Sequence, residues 1–268
     1  MPLSKIKNKK CVLTIAGSDS GAGAGIQSDI KTFKNHGVYG LSVVTAVTAQ
    51  NTKGVQSSYT MPASSVTAQL KSVFDDFDIK AAKTGMLVSA GSIEVIASAF
   101  KKKKNIKLIV DPVILSKNSY TMLDKKGISA LKKSLLKLTY LITPNIPEAE
   151  ILTGMKIDTI DDLETSAVML HELGAKNVLV KGGHLKASMG LPLGTDVLFD
   201  GKKFFLFSTN YVSTKNTHGI GCTLSAAITA NLAMGNNLIN SIDKAKSYVV
   251  RSLKKTSKLG KGFNPVEQ

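Results

Sequence analysis

The chain has 268 residues, 43% hydrophobic and 20% charged, which is ordinary usage for a globular protein long enough to bury a large core. No apolar run reaches the roughly 18 residues of a membrane helix, and the basic start MPLSKIKNKK runs through a short apolar stretch into SDSGAGAG with no signal-peptide pattern, so one cytoplasmic domain spanning 1–268 is expected. A net charge of +16 invites an anionic partner, but Arg251 is the only arginine, so the lysines read as a solvated surface and not as a nucleic-acid face.

In chain order, CVLTIAG (11–17) reads as a first strand, followed by a helix over 26–36. LSVVTAV (41–47) gives a second strand and 63–77 a helix; KAAKTGM (80–86) a third and 90–103 a helix. KLIVDPV (107–113), TYLITPN (139–145) and NVLVKGG (177–183) continue the strands, with helices over 125–136 and 161–173. TDVLFDGKKFFLF (195–207) has two runs flanking Asp200-Gly201, a short-range hairpin signal. Two helices close the chain, over 222–234 and 238–258. Short β-branched runs alternating with amphipathic stretches predict a mostly parallel sheet covered on both faces.

The predicted strands end in polar residues or glycine: Gly17-Ser18-Asp19, Gln50-Asn51, Thr84-Gly85, Asp111-Pro112, Pro144-Asn145 and Lys181-Gly182-Gly183. In such sheets ligands bind beyond the carboxyl ends of the strands. AGSDSGAGAG opens a helix, but it matches neither the P-loop nor GxGxxG, so it is either a binding loop or a glycine-rich connector. Asp29, one turn into that helix, also suits the helix dipole. Asp111 closes a buried-type strand, where a carboxylate could hold Mg²⁺ through water or simply start a turn. Asn145 and Glu148 have the spacing of a helix cap and equally that of a phosphate–metal site. Lys181 is a cation beside a flexible turn, or a surface lysine.

KNTHGIGC (215–222) is the sharpest stretch. Gly219 and Gly221 precede a helix whose first N–H groups lack internal partners, which makes an anion hole. Cys222 lies on the first turn, where thiol pKa values fall. With Cys11 far away and no CxxC spacing, neither a disulfide framework nor a zinc site is expected. A Cys–His protease pairing and a small buried thiol stay open at this point.

Taken together, these segments resemble the ribokinase-like superfamily, and within it the hydroxymethylpyrimidine and phosphomethylpyrimidine kinases of thiamine biosynthesis. The resemblance is carried by LTIAGSDSGAGAGIQSDIKTF, VVTAVTAQNTKGVQ, KTGML, VDPV, LITPNIPEAE, VLVKGGH, TKNTHGIGCTLSAAI and GKGFNPV, from about Val12 to Pro265. It implies a three-layer α/β/α sandwich, usually homodimeric. It also implies ATP- and Mg²⁺-dependent phosphorylation of 4-amino-5-hydroxymethyl-2-methylpyrimidine and then of its monophosphate. Gln50 would read the pyrimidine edge; Gly17, Ala24, Asp29, Met86 and Val113 would line that pocket. Asp111, Asn145 and Glu148 would face magnesium and phosphate, and Lys181, Thr214 and Lys215 the nucleotide. Gly219, Ile220, Gly221 and Cys222 would form the catalytic turn, with Cys222 in the place of the usual aspartate base. The rival substrate is pyridoxal, since some relatives with this loop take that ring; a non-catalytic binder of thiamine intermediates is the other alternative. Two residues depart from the family pattern. Ile220 stands where threonine is usual, and Ala22 where glycine is common.

Overall fold

A computed structural model describes residues 9–115, 121–182, 192–209, 212–214, 216–255 and 257–268. The strands are β1 (Cys11–Asp19), β2 (Tyr39–Asn51), β3 (Gly54–Thr60), β4 (Ile79–Thr84), β5 (Lys107–Val110), β6 (Leu141–Ile142), β7 (Val178–Val180), β8 (Asp196–Phe199) and β9 (Phe204–Phe207). They form one sheet in the order β3-β2-β1-β4-β5-β6-β7-β8-β9. β2, β1, β4, β5, β6 and β7 run parallel, while β3, β8 and β9 pair antiparallel at the two ends. The hairpin expected around Asp200-Gly201 is β8–β9, with Gly201 at φ 89°.

The helices are α1 (Gly25–Asn35), α2 (Ala63–Asp76), α3 (Ala90–Lys101), α4 (Lys125–Ala130), α5 (Ile146–Thr153), α6 (Ile160–Glu172), α7 (Ile220–Ala233) and α8 (Leu238–Lys254). Side chains alternate across the strands, so each strand feeds both layers. Leu13, Ile15, Leu108, Val110, Val178 and Val180 pack with α2, α3, α4, α5 and α6. Val12, Ala81, Ile109 and Leu179 face α1, α7 and α8. This is the expected α/β/α sandwich. Among the described residues no helix is long and apolar enough to cross a membrane.

Two elements differ from the sequence expectation. β3 has no apolar run; its residues are half-buried or exposed, and it forms because the long β2 leaves an edge to pair with. The helix expected over 125–136 is α-helical only to Ala130; it then widens into a π-helical turn at Leu131–Leu135 and tightens into a 3-10 turn at Leu136–Leu138.

β1 sits centrally, with β2 on one side and β4 on the other. The chain leaves β1 toward β2 and later returns to β4, so the loops after β1 and β4 diverge there. Such a reversal of strand order opens a crevice at the carboxyl ends. α7 packs against α1, α8, β1, β4 and β5 and is buried nearly all round, so its N-terminus is fixed at that crevice.

Candidate active site

Gly219 is the N-cap of α7, at φ 83°, in the left-handed region. A Cβ there would also run into the Gly23 carbonyl, so the position needs glycine twice over. The turn leaves the N–H groups of Ile220, Gly221 and Cys222 at a helix start, aimed at the crevice. Gly221 lies between two opposite charges. A Cβ built on it would sit 3.4 Å from Asp111 Oδ2 and 3.4 Å from Lys181 Nζ.

That pair is the polar centre of the site. Lys181 Nζ donates to Asp111 Oδ1 at 2.8 Å, and Thr143 Oγ1 donates to the same oxygen at 3.2 Å. Lys181 follows β7 and is positioned by its own N–H, which donates to the Pro144 carbonyl at 2.8 Å. Burial works against its charge, but Asp111 and Glu148 outweigh it and hold the ammonium well above the ordinary lysine range. Glu148 is buried; burial pushes its carboxyl up, against the pull of Lys181. Asn145 and Glu148 form a capping box. Asn145 Oδ1 accepts from Glu148 N–H at 2.8 Å and Glu148 Oε2 accepts from Asn145 N–H at 2.9 Å. The other carboxylate oxygen, Oε1, accepts from Ile114 N–H at 3.2 Å. The cap reading therefore holds, with the carboxylate still facing the Asp111–Lys181 pair.

A divalent cation of magnesium's character fits here in one way. It keeps several waters and takes one or two carboxylates plus substrate phosphate. Asp111 has its Oδ2 against Gly221, while both Glu148 oxygens already accept backbone N–H groups. Asp111 would bind directly and Glu148 through water. Among the described residues no group of three or more His, Cys, Asp or Glu is placed to hold a metal ion unaided.

The other side of the crevice is built from the loops after β1 and β4 and from the end of β2. A Cβ on Gly17 would overlap Met86 Cε, so the glycine makes room for that side chain. Met86 is buried, and its carbonyl accepts from Thr45 Oγ1 at 2.6 Å. Ala24 is the N-cap of α1, and its N–H donates to Asp19 Oδ2 at 2.9 Å. Gln50 lies near the end of β2, its amide nitrogen 3.3 Å from His218 Nε2. Ala22, Val88 and Val113 have φ of 58°, 67° and 44°. These three are the non-glycine residues with positive φ among the described residues, and all lie in loops at the carboxyl edge, where strain is typical of functional sites. Thr214 is half-buried and its Oγ1 accepts from Asn216 N–H at 3.1 Å. Lys215, Gly183 and His184 lie outside the described residues.

One expectation holds and one needs correcting. Asp29 was expected one turn into its helix, with the resemblance placing it in the pocket wall. It is the fifth residue of α1, 0% exposed, with Lys83 Nζ 3.0 Å from each carboxylate oxygen and Thr14 Oγ1 at 2.6 Å. Burial pushes its carboxyl up despite Lys83. Lys83 and Thr14 engage both carboxylate oxygens. The Cys222 thiol was expected to be lowered by the helix start. Burial pushes it up to about 11, and Asp29 and Asp111 add to the rise; Lys83 and the Gly25 N–H pull it down but do not win.

Among the described residues no histidine is paired with Cys222. His218 Nε2 faces Asp19 Oδ2 at 3.0 Å. His36 and His171 are each held by a carbonyl, of Thr32 and Ala175.

Sequence reasoning passed over Lys83, Asp19 and the C-terminal segment. Lys83 had a signal: it sits mid-strand in a parallel sheet buried on both faces, where a lysine must find an anion. The return of residues 264–268 showed only as part of GKGFNPV, whose likeness to the family's closing segment does not say what it touches. It bridges His218 to Pro265 and brings Gln268 Nε2 to Ser28 Oγ at 3.0 Å and Thr223 Oγ1 at 3.2 Å.

Comparison with known proteins places this geometry. The phosphomethylpyrimidine kinase family model matches residues 19–267. A hydroxymethylpyrimidine/phosphomethylpyrimidine kinase of Aquifex aeolicus is 42% identical over 251 residues, covering 94% of this chain and 97% of that protein. The thiamine biosynthesis bifunctional protein ThiED of Geobacter sulfurreducens is 46% identical over 255 residues; the chain spans about half of it, 51%. An ADP complex of Bacillus subtilis pyridoxal kinase superposes with a TM-score of 0.87 at 36% identity, covering 97% of each chain. The sandwich, the glycine turn at the head of α7 and the full-length match together make the chain a kinase with a ribokinase-like fold that belongs to the phosphomethylpyrimidine kinase family.

Proposed function

We propose that the chain transfers the γ-phosphoryl group of ATP to the hydroxymethyl oxygen of 4-amino-5-hydroxymethyl-2-methylpyrimidine, and then phosphorylates the monophosphate to the diphosphate, in thiamine diphosphate biosynthesis. One observation carries this reading. The turn at 219–222 stands between the Asp111–Lys181 pair on one side and the Gly17, Met86 and Gln50 group on the other.

The chemistry follows from that placement. Phosphoryl transfer needs alignment and charge neutralisation more than covalent chemistry. The N–H groups of Ile220, Gly221 and Cys222 face the charge that grows on the transferred group. Gly221 keeps its place beside Asp111 and Lys181 open, since any side chain there would fill the space a phosphate needs. Lys181 adds positive charge on the nucleotide side, with Thr214 and Lys215 completing that side. Magnesium, bound by Asp111 and by Glu148 through water, would neutralise phosphate charge. Gln50 reads the aminopyrimidine edge, since an amide both gives and accepts hydrogen bonds. Met86 and Val113 hold the ring, and Gly17 and Ala24 keep the approach narrow. Cys222 receives the hydroxyl proton. With its thiol pushed up to about 11 it holds its own proton in the free chain, so it would have to release that proton to solvent when ATP and magnesium bind before the thiolate can take the hydroxyl proton.

The same reading takes the whole chain as one kinase domain, which the single sheet and the full-length match support, and as cytoplasmic and homodimeric, as the family resemblance implies. Pyridoxal is the second candidate ring, favoured by the likeness to the pyridoxal kinase structure.

The test is coupled ADP release with the pyrimidine, its monophosphate and pyridoxal. Turnover of both pyrimidine compounds is expected. Turnover of pyridoxal alone would replace the substrate, and no ADP with any of the three would leave a binder. In the same assay Cys222→Ala lowers kcat by about 100-fold or more, the usual worth of a general acid–base group, with a small change in KM. An unchanged kcat removes the proton-acceptor role.

A further inference from the structure

The His218 side chain joins the catalytic turn to the ring-reading side. Its Nε2 lies 3.0 Å from Asp19 Oδ2 and 3.3 Å from the Gln50 amide nitrogen. Its backbone is clamped by the C-terminal return: His218 N–H donates to the Asn264 carbonyl at 3.3 Å, and Val266 N–H donates to the His218 carbonyl at 3.1 Å. The imidazole also fills the space a Cβ on Gly23 would take, 2.5 Å from its Cδ2.

The donor count around Gln50 decides how the amide must lie. Asp19 accepts from the N–H groups of Gly21 at 2.7 Å, Gly23 at 3.2 Å and Ala24 at 2.9 Å, which shape the first loop. Burial opposes its charge, but His218 and these N–H groups hold its carboxyl below the usual range. A carboxylate at 3.0 Å requires that His218 Nε2 carry a hydrogen, so that nitrogen cannot accept from Gln50. The Thr48 hydroxyl raises the same conflict. It lies 3.0 Å from the Ser18 carbonyl and 3.1 Å from Gln50 Oε1, and its single hydrogen cannot serve both. Turning the carboxamide over resolves both at once. Gln50 Oε1 then shares the His218 Nε2–H with Asp19 Oδ2 in a three-centre bond, Gln50 Nε2 donates to Thr48 Oγ1, and Thr48 donates to Ser18. Each end of the amide keeps one more hydrogen bond in hand, a donor and an acceptor.

We propose that His218 is a specificity-determining positioning residue: it fixes the orientation of the Gln50 carboxamide and ties it, through Asp19, to the turn that carries Cys222. This rests on the role of Gln50 given above. The orientation matters because an aminopyrimidine edge offers a ring-nitrogen acceptor beside an amino donor, and only one orientation of the amide matches it. Pyridoxal has no such amino group, so His218 favours the pyrimidine over pyridoxal.

The experiment measures kcat and KM for pyrimidine and for ATP in wild type, Gln50→Ala, His218→Leu, His218→Gln and the double variant His218→Leu/Gln50→Ala, with thermal melts of each. His218→Leu removes the donor; His218→Gln returns an amide N–H at similar reach. The expected result is a pyrimidine KM raised about 3- to 10-fold in His218→Leu, the worth of one neutral hydrogen bond. ATP KM stays within about twofold, His218→Gln recovers, and His218→Leu adds nothing once Gln50 is alanine. Where His218→Leu does not fold, His218→Asn, too short to reach, takes its place. A raised pyrimidine KM in Gln50→Ala with none in His218→Leu overturns this proposal alone. Equal losses for ATP and pyrimidine, or full additivity in the double variant, also overturn it. No change in Gln50→Ala overturns the role of Gln50 and this proposal with it.

Discussion

Ile220 heads α7 with its side chain half-buried and packed against the apolar cluster that includes Leu141, Leu179, Leu198 and Leu224. An isoleucine carries no hydroxyl, so at the proposed anion site Ile220 can offer only its backbone N–H. Ile220→Thr is expected to leave kcat within about threefold and to cost about 1 kcal/mol of stability from lost apolar burial, measured by urea unfolding. A tenfold gain in kcat would show that the hydroxyl matters. Ala22 is the opposite case. At φ 58° it occupies the region where a Cβ costs about 1–2 kcal/mol, offset by about 0.4–1 kcal/mol of unfolded-chain entropy that glycine would add. Ala22→Gly should stabilise by about 0.5–1 kcal/mol, or about 2–3 °C in Tm for a chain of this size. A lower Tm would rule the strain out. Both positions stood out in the sequence as departures from a family pattern. What the sequence did not give was the direction of one side chain and the sign of one φ, and those decide opposite outcomes.

At the scale of elements, α1, β1 and β4 are joined by a fully buried group: Asp29 on α1, Thr14 on β1 and Lys83 on β4. Burial opposes the Lys83 charge, yet Asp29 raises its ammonium above the ordinary range. The pair lies close enough to bear on the Cys222 thiol, which Lys83 lowers and Asp29 raises. Removing one partner leaves a buried charge uncompensated, which costs about 3–5 kcal/mol. Lys83→Met should lose that much in urea unfolding, and Lys83→Met with Asp29→Leu should recover most of it. A small loss in the single variant would mean that Asp29 takes up a proton when alone. This group was half legible. A lysine in the middle of KAAKTGM demanded an anion, but the strand period does not say which helix supplies it.

At the scale of the whole molecule, strands that are apolar on both faces announced themselves, and so did the Asp-Gly hairpin. β3 did not, since Gly54–Thr60 has no buried face of its own and takes its shape from the free edge of β2. Sheet order was also silent in the sequence, although it sets the crevice between β1 and β4. The least legible feature was the C-terminal return, because its bonds are long-range and made by backbone, Asn264 and Gln268. Phe263 N–H donates to the Thr52 carbonyl at 2.8 Å, Asn264 and Val266 hold the His218 backbone, and Gln268 reaches Ser28 on α1 and Thr223 on α7. The segment thus fastens the end of β2, the first loop and the head of α7 to one another. Deleting residues 264–268 exposes the place of Val266, now 1% exposed, a loss of about 1.5–3 kcal/mol. It also removes the bonds to the His218 backbone, to Ser28 and to Thr223, while the Phe263–Thr52 bond stays. The deleted chain should still fold, with Tm lower by several degrees, while kcat/KM for the pyrimidine falls about tenfold or more below the assay temperature limit set by its melt. A fold loss with unchanged kcat/KM would make the return a staple for stability alone. A kcat/KM loss that appears as pyrimidine KM and not as ATP KM would instead locate its action at His218 and Gln50, the side of the crevice that the return touches most directly.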